Sequence, residues 1–162
     1  MWIWRSAGSL SIGSPITERS ARVFTEYLPA VMRFDVITLF PELFEPFVRV
    51  GITRRAFESG AVELHCLNPR DVVTDAYRRV DDRPFGGGPG MVFMAQPLLD
   101  TLAVIRKQRQ DDAPVVLFSP LGPHLDHAAV QSWSDSSGAI LICGRYEGLD
   151  QRFIDAHVDQ QI

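Results

Sequence analysis

The sequence predicts an α/β fold with a mainly parallel sheet and helices on both faces. Short apolar runs, suited to buried strands, alternate along the chain with segments of helical periodicity, and that alternation is typical of parallel sheets. The length of 162 residues suits one domain, and 46% apolar and 22% charged residues are the composition of a globular protein. The longest apolar runs, Ala113–Phe118 and Ala139–Cys143, fall far short of the ~20 residues that cross a bilayer, so we expect no transmembrane helix.

The first 31 residues differ in character from the rest of the chain. Met1–Val31 is rich in serine and has no sustained period, while Met32 opens an apolar strand. The segment also lacks the basic start and apolar stretch of a signal peptide. We therefore expect an extension over 1–31, disordered or translated from an early start codon, and one domain over 32–162.

The domain begins with a strand and a broken helix. The apolar run Phe34–Phe40 predicts a buried strand, and Pro41 suits the first turn of a helix. Pro46 lies inside the helical pattern and predicts a kink or two short segments. A second helical piece, Arg54–Ser59, should end at Gly60.

The remaining elements alternate in the same way. Val62, Leu64 and Cys66 alternate with polar residues as a second strand, and the polar segment Asn68–Gly90 follows without regular periodicity. The later predictions are a helix from Pro97, a strand Val115–Phe118, a helix Asp126–Trp133, a strand Ala139–Cys143 and a helix Gln151–His157.

Three glycine- or proline-containing loops are candidates for ligand binding: Val80–Met91, Ser119–Pro123 and Gly144–Gly148. Two of them directly follow apolar strands, and ligands of open parallel sheets bind at the carboxyl ends of the strands. The first loop is no dinucleotide fingerprint, because Met91 occupies the last glycine position. From composition alone, a flexible surface turn and a strand-to-helix turn with a solvated ion pair remain alternatives.

Charge and cysteine content limit the partners. A net charge of −4 is unlike that of proteins that grip phosphates by bulk electrostatics, so a nucleic-acid role needs local residues or a partner domain. The four arginines of the polar segment are matched by four aspartates and fit a self-paired loop: Arg70, Arg78, Arg79, Arg83 and Asp71, Asp75, Asp81, Asp82. Two isolated cysteines, Cys66 and Cys143, predict free thiols in a reducing cytoplasm.

Five motifs together resemble one family. FPELF (Phe40–Phe44), NPRD (Asn68–Asp71), VDDRPFGGGPGM (Val80–Met91), SPLG (Ser119–Gly122) and CGRYEG (Cys143–Gly148) resemble, in order and spacing, the bacterial tRNA (guanine-N1)-methyltransferases, the TrmD family. The resemblance runs from Met32 to Ile162. It implies a SPOUT-type trefoil-knot domain, with the knot incomplete in this chain, that binds S-adenosylmethionine in a bent form.

The resemblance also implies a reaction and its partners. The family works as a homodimer with a shared active site, and methylates N1 of the guanine immediately 3′ of the anticodon in the tRNA anticodon loop, with help from Mg²⁺. By position, the cofactor residues are Phe118, Ser119, Pro120, Gly144, Tyr146, Glu147 and Gly148. Glu147 also lies near the magnesium by this resemblance, while Asp81, Arg83 and Gly90 contact the RNA.

The chemistry of guanine sets a further expectation. N1 carries a proton and is a poor nucleophile until a base removes it, and an arginine can stabilise the charge that then spreads onto O6. In the family, that base and arginine lie downstream of the position of Ile162. We therefore expect this chain alone to be inactive.

Other functions fit parts of the same sequence. A binding module would recognise the cofactor or the anticodon loop without catalysis, and another knotted methyltransferase would act on ribosomal RNA or on a ribose 2′-hydroxyl. An α/β domain that binds a phosphate ligand, with no role on RNA, is the third alternative.

Overall fold

The computed structural model describes residues 31–109 and 111–162. The extension predicted over 1–31 therefore lies outside the described residues, apart from Val31. None of the helices described could span a bilayer, since none combines sufficient length with sufficient apolar character.

Seven strands form two sheets in the part of the chain that the structure describes. The five-stranded sheet is parallel throughout and has the order β2-β1-β6-β5-β7, and β3 pairs antiparallel with β4 in a small second sheet. The strands are β1 (Met32–Ile37), β2 (Val62–Leu67), β3 (Asp81–Asp82), β4 (Val92–Phe93), β5 (Val115–Phe118), β6 (Gly138–Cys143) and β7 (Gln160–Gln161).

Helices fill the connections between the strands. Short 3₁₀ turns cover Pro41–Phe44 and Pro69–Asp71, and the α-helices are α1 (Glu45–Arg49), α2 (Thr53–Glu58), α3 (Ala95–Arg109), α4 (His127–Ser134) and α5 (Gln151–His157). Aspartates begin the last two helices. The carboxylate of Asp126 accepts the backbone N–H of Ala129, and that of Asp150 accepts the N–H of Arg152, so each satisfies a donor left free in a first turn.

The main core lies between the sheet and two helices, α3 and α5. Ile37, Leu117 and Ile140 project from the strands and are at most 3% exposed. They belong to one cluster with Ile105 of α3 and Phe153 of α5. Burial of each large side chain stabilises the fold by roughly 1.5–3 kcal/mol. The apolar spacing of α3 and α5 thus fixes both helices on one face of the sheet.

The predicted α/β class with a mainly parallel sheet is confirmed, and the differences are local. The strand predicted to reach Phe40 ends at Ile37, because the hydroxyl of Thr38 accepts the N–H of Phe40 and turns the chain. The two prolines divide the following helix into a 3₁₀ turn from Pro41 and the short α1 from Glu45. The trefoil knot stays a prediction.

A buried ion-pair cluster lies near the amino ends of the strands. Asp35 of β1 is fully buried, and its carboxylate accepts hydrogen bonds from Arg33 at 2.7 Å and from Arg109, the last residue of α3, at 2.8 Å. Arg109 also holds Asp111 through two hydrogen bonds of 2.8 and 2.9 Å. We call these four residues the amino-end cluster.

Candidate active site at the carboxyl ends of the strands

Two of the predicted ligand loops begin side by side. Phe118, the last residue of β5, is paired with Cys143, the last residue of β6, so Ser119–Pro123 and Gly144–Gly148 leave neighbouring strands at the same edge. Phe118 and Tyr146 are 41% and 39% exposed, so both aromatic residues are accessible at this edge. The geometry is that of the strand-end crevice in which parallel sheets bind ligands.

The glycine-rich loop joins the loop after β6. The backbone N–H of Glu147 donates to the carbonyl of Met91 at 3.0 Å, and Phe93 N–H donates to the Gly148 carbonyl at 2.9 Å. The carbonyl of Phe93 in turn accepts the N–H of Asp150 at 2.9 Å. Val80–Met91 and Gly144–Gly148 therefore form one continuous area, which we call the two-loop surface.

Gly90 and Glu147 are in direct contact on the two-loop surface. A β-carbon on Gly90 would overlap Cγ of Glu147 and would lie 2.8 Å from its carboxyl carbon. Gly90 also has a φ of +85°, a conformation that side chains disfavour. The close approach of the two loops thus depends on glycine at this position.

Tyr146 is held from three sides. Its φ of +63° lies in the left-handed region, and its ring meets Phe93 edge-to-face at a centroid distance of 5.9 Å. The hydroxyl oxygen accepts a hydrogen bond from Arg70 Nη2 at 3.2 Å. Desolvation raises the pKa of the Tyr146 hydroxyl, and the neighbouring Asp81 carboxylate raises it further by hydrogen bonding. Asp81 and Tyr146, predicted for different ligands, are linked through Phe93, which pairs with Asp81 and packs its ring on Tyr146.

Arg70 is a residue of the site that the sequence reasoning did not single out. Its Nη1 donates to the Arg78 carbonyl at 3.0 Å, and its backbone N–H donates to the side chain of Asn68 at 3.0 Å. The sequence could have indicated Arg70, because Asn68–Asp71 follows the end of β2 and so reaches the same edge of the sheet. The self-paired loop predicted for this segment holds in part, with Arg78–Asp71 at 3.8 Å and Arg79–Asp75 at 3.6 Å.

The loop after β5 is closed by the last residue of the chain. Ser119 N–H donates to the Ile162 carbonyl at 2.7 Å, and Ile162 N–H donates to the Leu117 carbonyl at 2.9 Å. A β-carbon on Gly122 would lie 2.6 Å from the Ile162 nitrogen. Ser119 Oγ accepts the N–H of Leu121 at 3.2 Å and so shapes the turn.

Two predicted site residues lie at the margin of this edge. Pro120 is exposed, and so is Arg83, whose backbone N–H donates to the Asp82 carboxylate at 2.7 Å. The side chain of Arg83 takes part in none of the ion pairs found among the described residues. Arg145 instead stacks over the ring of Phe40 at 5.1 Å, which ties the loop after β6 to the segment after β1.

The residues at this edge fit an adenosyl ligand. Gly148 has a φ of +148° and open space where a side chain would lie, so a ligand can approach the backbone closely. The exposed ring of Phe118 can pack against a purine. For a metal, the described residues contain no cluster of three or more His, Cys, Asp or Glu side chains. The exposed carboxylate of Glu147 is compatible with Mg²⁺, which proteins often bind through one or two carboxylates and several waters.

Curated proteins from other organisms are similar in sequence to this chain. The chain is 70% identical over 131 residues to the tRNA (guanine-N(1)-)-methyltransferase of Albidiferax ferrireducens. The match covers 81% of this chain and 53% of the relative. It is 64% identical over 135 residues to the enzyme of the same name from Polaromonas sp., covering 81% and 52%. The chain thus spans about half the length of the curated relatives it matches.

A solved structure and a family model agree with these relatives. The crystal structure of tRNA (m1G37) methyltransferase from Aquifex aeolicus superposes with a TM-score of 0.74 at 32% identity, covering 82% of this chain and 59% of that one. The family model described as tRNA (Guanine-1)-methyltransferase TrmD matches residues 32–162. The chain therefore belongs to the tRNA (guanine-1)-methyltransferase TrmD family.

Proposed function

We propose that the protein to which this chain belongs transfers a methyl group from S-adenosylmethionine to N1 of the guanosine immediately 3′ of the anticodon in tRNA. The names of the relatives support the reaction class, and the m1G37 title of the Aquifex aeolicus structure supports the position. The observation that carries the proposal is the two-loop surface, where Gly90 packs against Glu147. A methyl donor and a guanine bound to these two loops would be neighbours.

The adenosyl group is proposed to lie at the ends of β5 and β6. Backbone groups at this edge provide donors and acceptors for an adenine, and the exposed aromatic rings provide a stacking surface. The proposed contacts are Phe118, Ser119, Pro120, Gly144, Tyr146, Glu147 and Gly148. When bound, the cofactor supplies an electrophilic methyl group on a sulfonium. Mg²⁺ is proposed at Glu147.

The guanine is proposed to lie against Asp81 and Gly90. A carboxylate accepts N–H groups, and the 2-amino group of a guanine presents such donors on the edge beside N1, which leaves N1 of the target base open to the methyl group. Gly90 lets the backbone approach the base without a side chain between them. Arg83 is exposed beside this loop and is proposed to contact the RNA backbone.

The base that removes the N1 proton is proposed to lie downstream of Ile162 and to act across a homodimer. The residues of this chain would then bind and orient the two reactants, a role that can contribute several kcal/mol to lowering the barrier. The tRNA anticodon loop is the proposed partner, and the cytoplasm the proposed location.

Methyl transfer by the full-length protein tests the proposal. The protein would be incubated with labelled S-adenosylmethionine and an unmodified tRNA transcript carrying guanines at the last anticodon position and the next position. We expect 1-methylguanosine at the second of these guanines, identified by nuclease digestion and mass spectrometry. A matched transcript with adenine at the preceding position should be methylated far more slowly.

The other functions give different outcomes in the same assay. Methylation of ribosomal RNA or of a ribose hydroxyl would contradict the proposal, and so would cofactor binding with no transfer to any RNA. Asp81→Ala should lower methylation strongly while leaving the affinity for S-adenosylmethionine nearly unchanged. An equal loss of methylation and of cofactor affinity would contradict the proposed contact between Asp81 and a guanine.

A further inference from the structure

Arg145, on the loop after β6, carries a positive charge beside an aromatic ring. Its guanidinium carbon lies over the ring of Phe40, 5.1 Å from the ring centre, and the residue is exposed. Arg145 takes part in none of the ion pairs found among the described residues. The arginine side chains that donate hydrogen bonds within that part of the chain are Arg33, Arg70, Arg106, Arg109 and Arg152. The N–H donors of Arg145 are therefore available to a ligand.

The ring beneath Arg145 is held in place by the turn after β1. The hydroxyl of Thr38, a buried residue, accepts the backbone N–H of Phe40 at 3.1 Å. The side chain of Asn68 donates to the Leu39 carbonyl at 3.2 Å, which ties this turn to the segment after β2. A cation over the face of a fixed ring is held partly in place, so it loses less conformational freedom when it binds a ligand.

The strand order places this pair on the side of β6 away from the proposed cofactor. β6 lies between β1 and β5, and the adenosyl group is proposed at the ends of β5 and β6. Phe40 follows β1, so Arg145 reaches towards the β1 side of its own loop. On the same loop, Glu147 contacts Gly90 on the two-loop surface. An RNA bound to the two-loop surface can therefore extend over Arg145 on the side opposite the cofactor.

A phosphate group fits the chemistry of this arginine. The N–H donors of a guanidinium form a planar fork that matches the oxygens of a phosphate. The chain has a net charge of −4, so its contacts with RNA phosphates depend on individual cations and not on bulk attraction. Arg145 is such a cation, next to the loops proposed to bind the guanine.

We propose that Arg145, positioned over the ring of Phe40, binds a phosphate of the tRNA anticodon loop while the two-loop surface holds the guanine. This inference rests on the proposed function and adds a backbone contact to it. Phosphate contacts fix the register of a nucleic acid without reading its sequence. Arg145 thus aligns the target base, and Phe40 is a positioning residue that acts only through Arg145.

Binding of an anticodon stem–loop to the full-length protein tests the contact. The Kd would be measured between about 50 and 200 mM salt, a range in which phosphate contacts weaken measurably. In Arg145→Gln we expect the Kd at low salt to rise about ten-fold, the scale of one charge-assisted hydrogen bond. The slope of log Kd against log salt should become shallower by about 0.7–0.9, the share of one phosphate.

Arg55→Gln is the matched control. Arg55 of α2 is also exposed and takes part in none of the ion pairs found in the described ranges. Its substitution removes the same charge from the protein, but it lies on a helix outside the proposed contact. The Kd and the salt slope should both stay close to those of the parent. Equal changes in the two variants would indicate a general charge effect and would overturn the proposal.

Two further variants separate the charge from its placement. Arg145→Lys keeps the charge but loses the planar fork, and Phe40→Leu keeps an apolar side chain but removes the aromatic face. Both should keep the parental salt slope, and each should raise the Kd about three-fold. The double variant Phe40→Leu/Arg145→Gln should bind no more weakly than Arg145→Gln, because Phe40 acts through the arginine. Additive losses would overturn the positioning role of Phe40.

The remaining outcomes identify the ligand. A parental Kd and salt slope in Arg145→Gln would overturn the phosphate contact. Weaker binding of S-adenosylhomocysteine, with unchanged binding of the stem–loop, would assign the guanidinium to the cofactor carboxylate and would also overturn it. The loss of affinity should be equal for stem–loops with guanine or adenine before the target position, and a loss for only one of them would indicate a base contact instead.

The binding assay also separates this inference from the proposed function. Binding is measured without turnover, so it does not depend on which atom of the RNA is methylated. A parent protein that binds the stem–loop but does not methylate N1 of the target guanine would overturn only the proposed function. Methylation of that guanine with parental stem–loop binding in Arg145→Gln would overturn only the phosphate contact.

Discussion

The two ends of the sheet use the same residue types in opposite ways. In the amino-end cluster, the Asp35 carboxylate is fully buried and both of its oxygens are bonded by Arg33 or Arg109. At the carboxyl end, Asp81 is partly exposed and takes part in none of the ion pairs found among the described residues. Arginine and aspartate thus form an internally satisfied structural pair at one end and an open polar surface at the other.

The difference shows how function can be separated from stability in this fold. A buried charge must have its partners inside the protein, since removing one leaves an uncompensated charge. A partly exposed group is satisfied by water until a ligand replaces the water. Substitutions at the amino end should therefore lower the free energy of unfolding, whereas substitutions at the carboxyl end should lower binding and catalysis.

Gly138→Ala should have the largest effect on stability. Gly138 opens β6 with a φ of +104°, and a β-carbon there would overlap the carbonyl oxygen of Arg33 on β1. Conformational strain and a forced strand displacement together should lower the free energy of unfolding by about 3–4 kcal/mol. Gly51→Ala is the matched control, with a φ of +74° and open space, and should lose only the strain. Equal losses in urea unfolding would refute the close contact between β1 and β6.

Arg109→Leu should have the next largest effect. The side chain of Arg109 is 1% exposed and bonds both Asp35 and Asp111, so its removal leaves a buried carboxylate with one partner fewer. The free energy of unfolding should fall by about 3 kcal/mol. Arg152→Leu removes an ion pair whose arginine is 86% exposed, and it should be nearly neutral in the same measurement. Similar stability of the two variants would contradict the structural role of the amino-end cluster.

Gly90→Ala should lower activity more than stability, the opposite of what we expect for Gly138→Ala. A side chain at Gly90 meets the flexible side chain of Glu147 instead of a strand, so the free energy of unfolding should fall by only about 1–2 kcal/mol. Methylation by the full-length protein should fall much more, because the new side chain displaces the Glu147 side chain from its place beside the proposed ligands. Gly86→Ala is the control in the same loop, with a φ of +87° and open space. Parental activity of the Gly90→Ala protein would contradict a functional role for the contact between the two loops.

A fall in pH should affect the amino and carboxyl ends of the sheet differently, and this effect on the free energy of unfolding should be the smallest of those predicted. The side-chain hydrogen bond from Arg109 lowers the pKa of Asp111, so its contribution to stability is present above the ordinary carboxyl pKa of about 4 and is lost as pH falls through the lowered value. The pKa of Tyr146 is raised, so its contribution is lost only at alkaline pH. Asp111→Asn should flatten the acid dependence of the unfolding free energy and leave the alkaline dependence unchanged. An unaltered acid dependence would contradict the ion pair.

The elements were predictable because their signals are local. Val115–Phe118 and Gln151–His157 were predicted with the observed bounds, since apolar runs and helical spacing depend on neighbours in sequence. The same holds for the glycines of Gly144–Gly148, which mark a loop after a strand. Pro46 likewise signalled the divided helix, because the lack of a backbone N–H is a property of that residue alone.

Contacts between distant segments were not predictable from local pattern. Asp35 interrupts an apolar strand, and its partner Arg109 is 74 residues away. The bond from Arg70 to Tyr146 spans 76 residues and depends on which strands become neighbours. A charge pattern shows which side chains need partners, and the sheet order decides which partners they have.

Hydrogen exchange on the full-length protein tests the central claim most directly: the two loops act as one binding surface. S-adenosylhomocysteine would be added, and amide protection compared with that of the free protein. We predict that amides of Gly144–Gly148 and of Met91–Phe93 gain protection together, because Glu147 and Phe93 donate across the two segments, while β1 near Arg33 is unchanged. Protection at the groove lined by Leu99, Arg106 and His157, with none in either loop, would contradict the account.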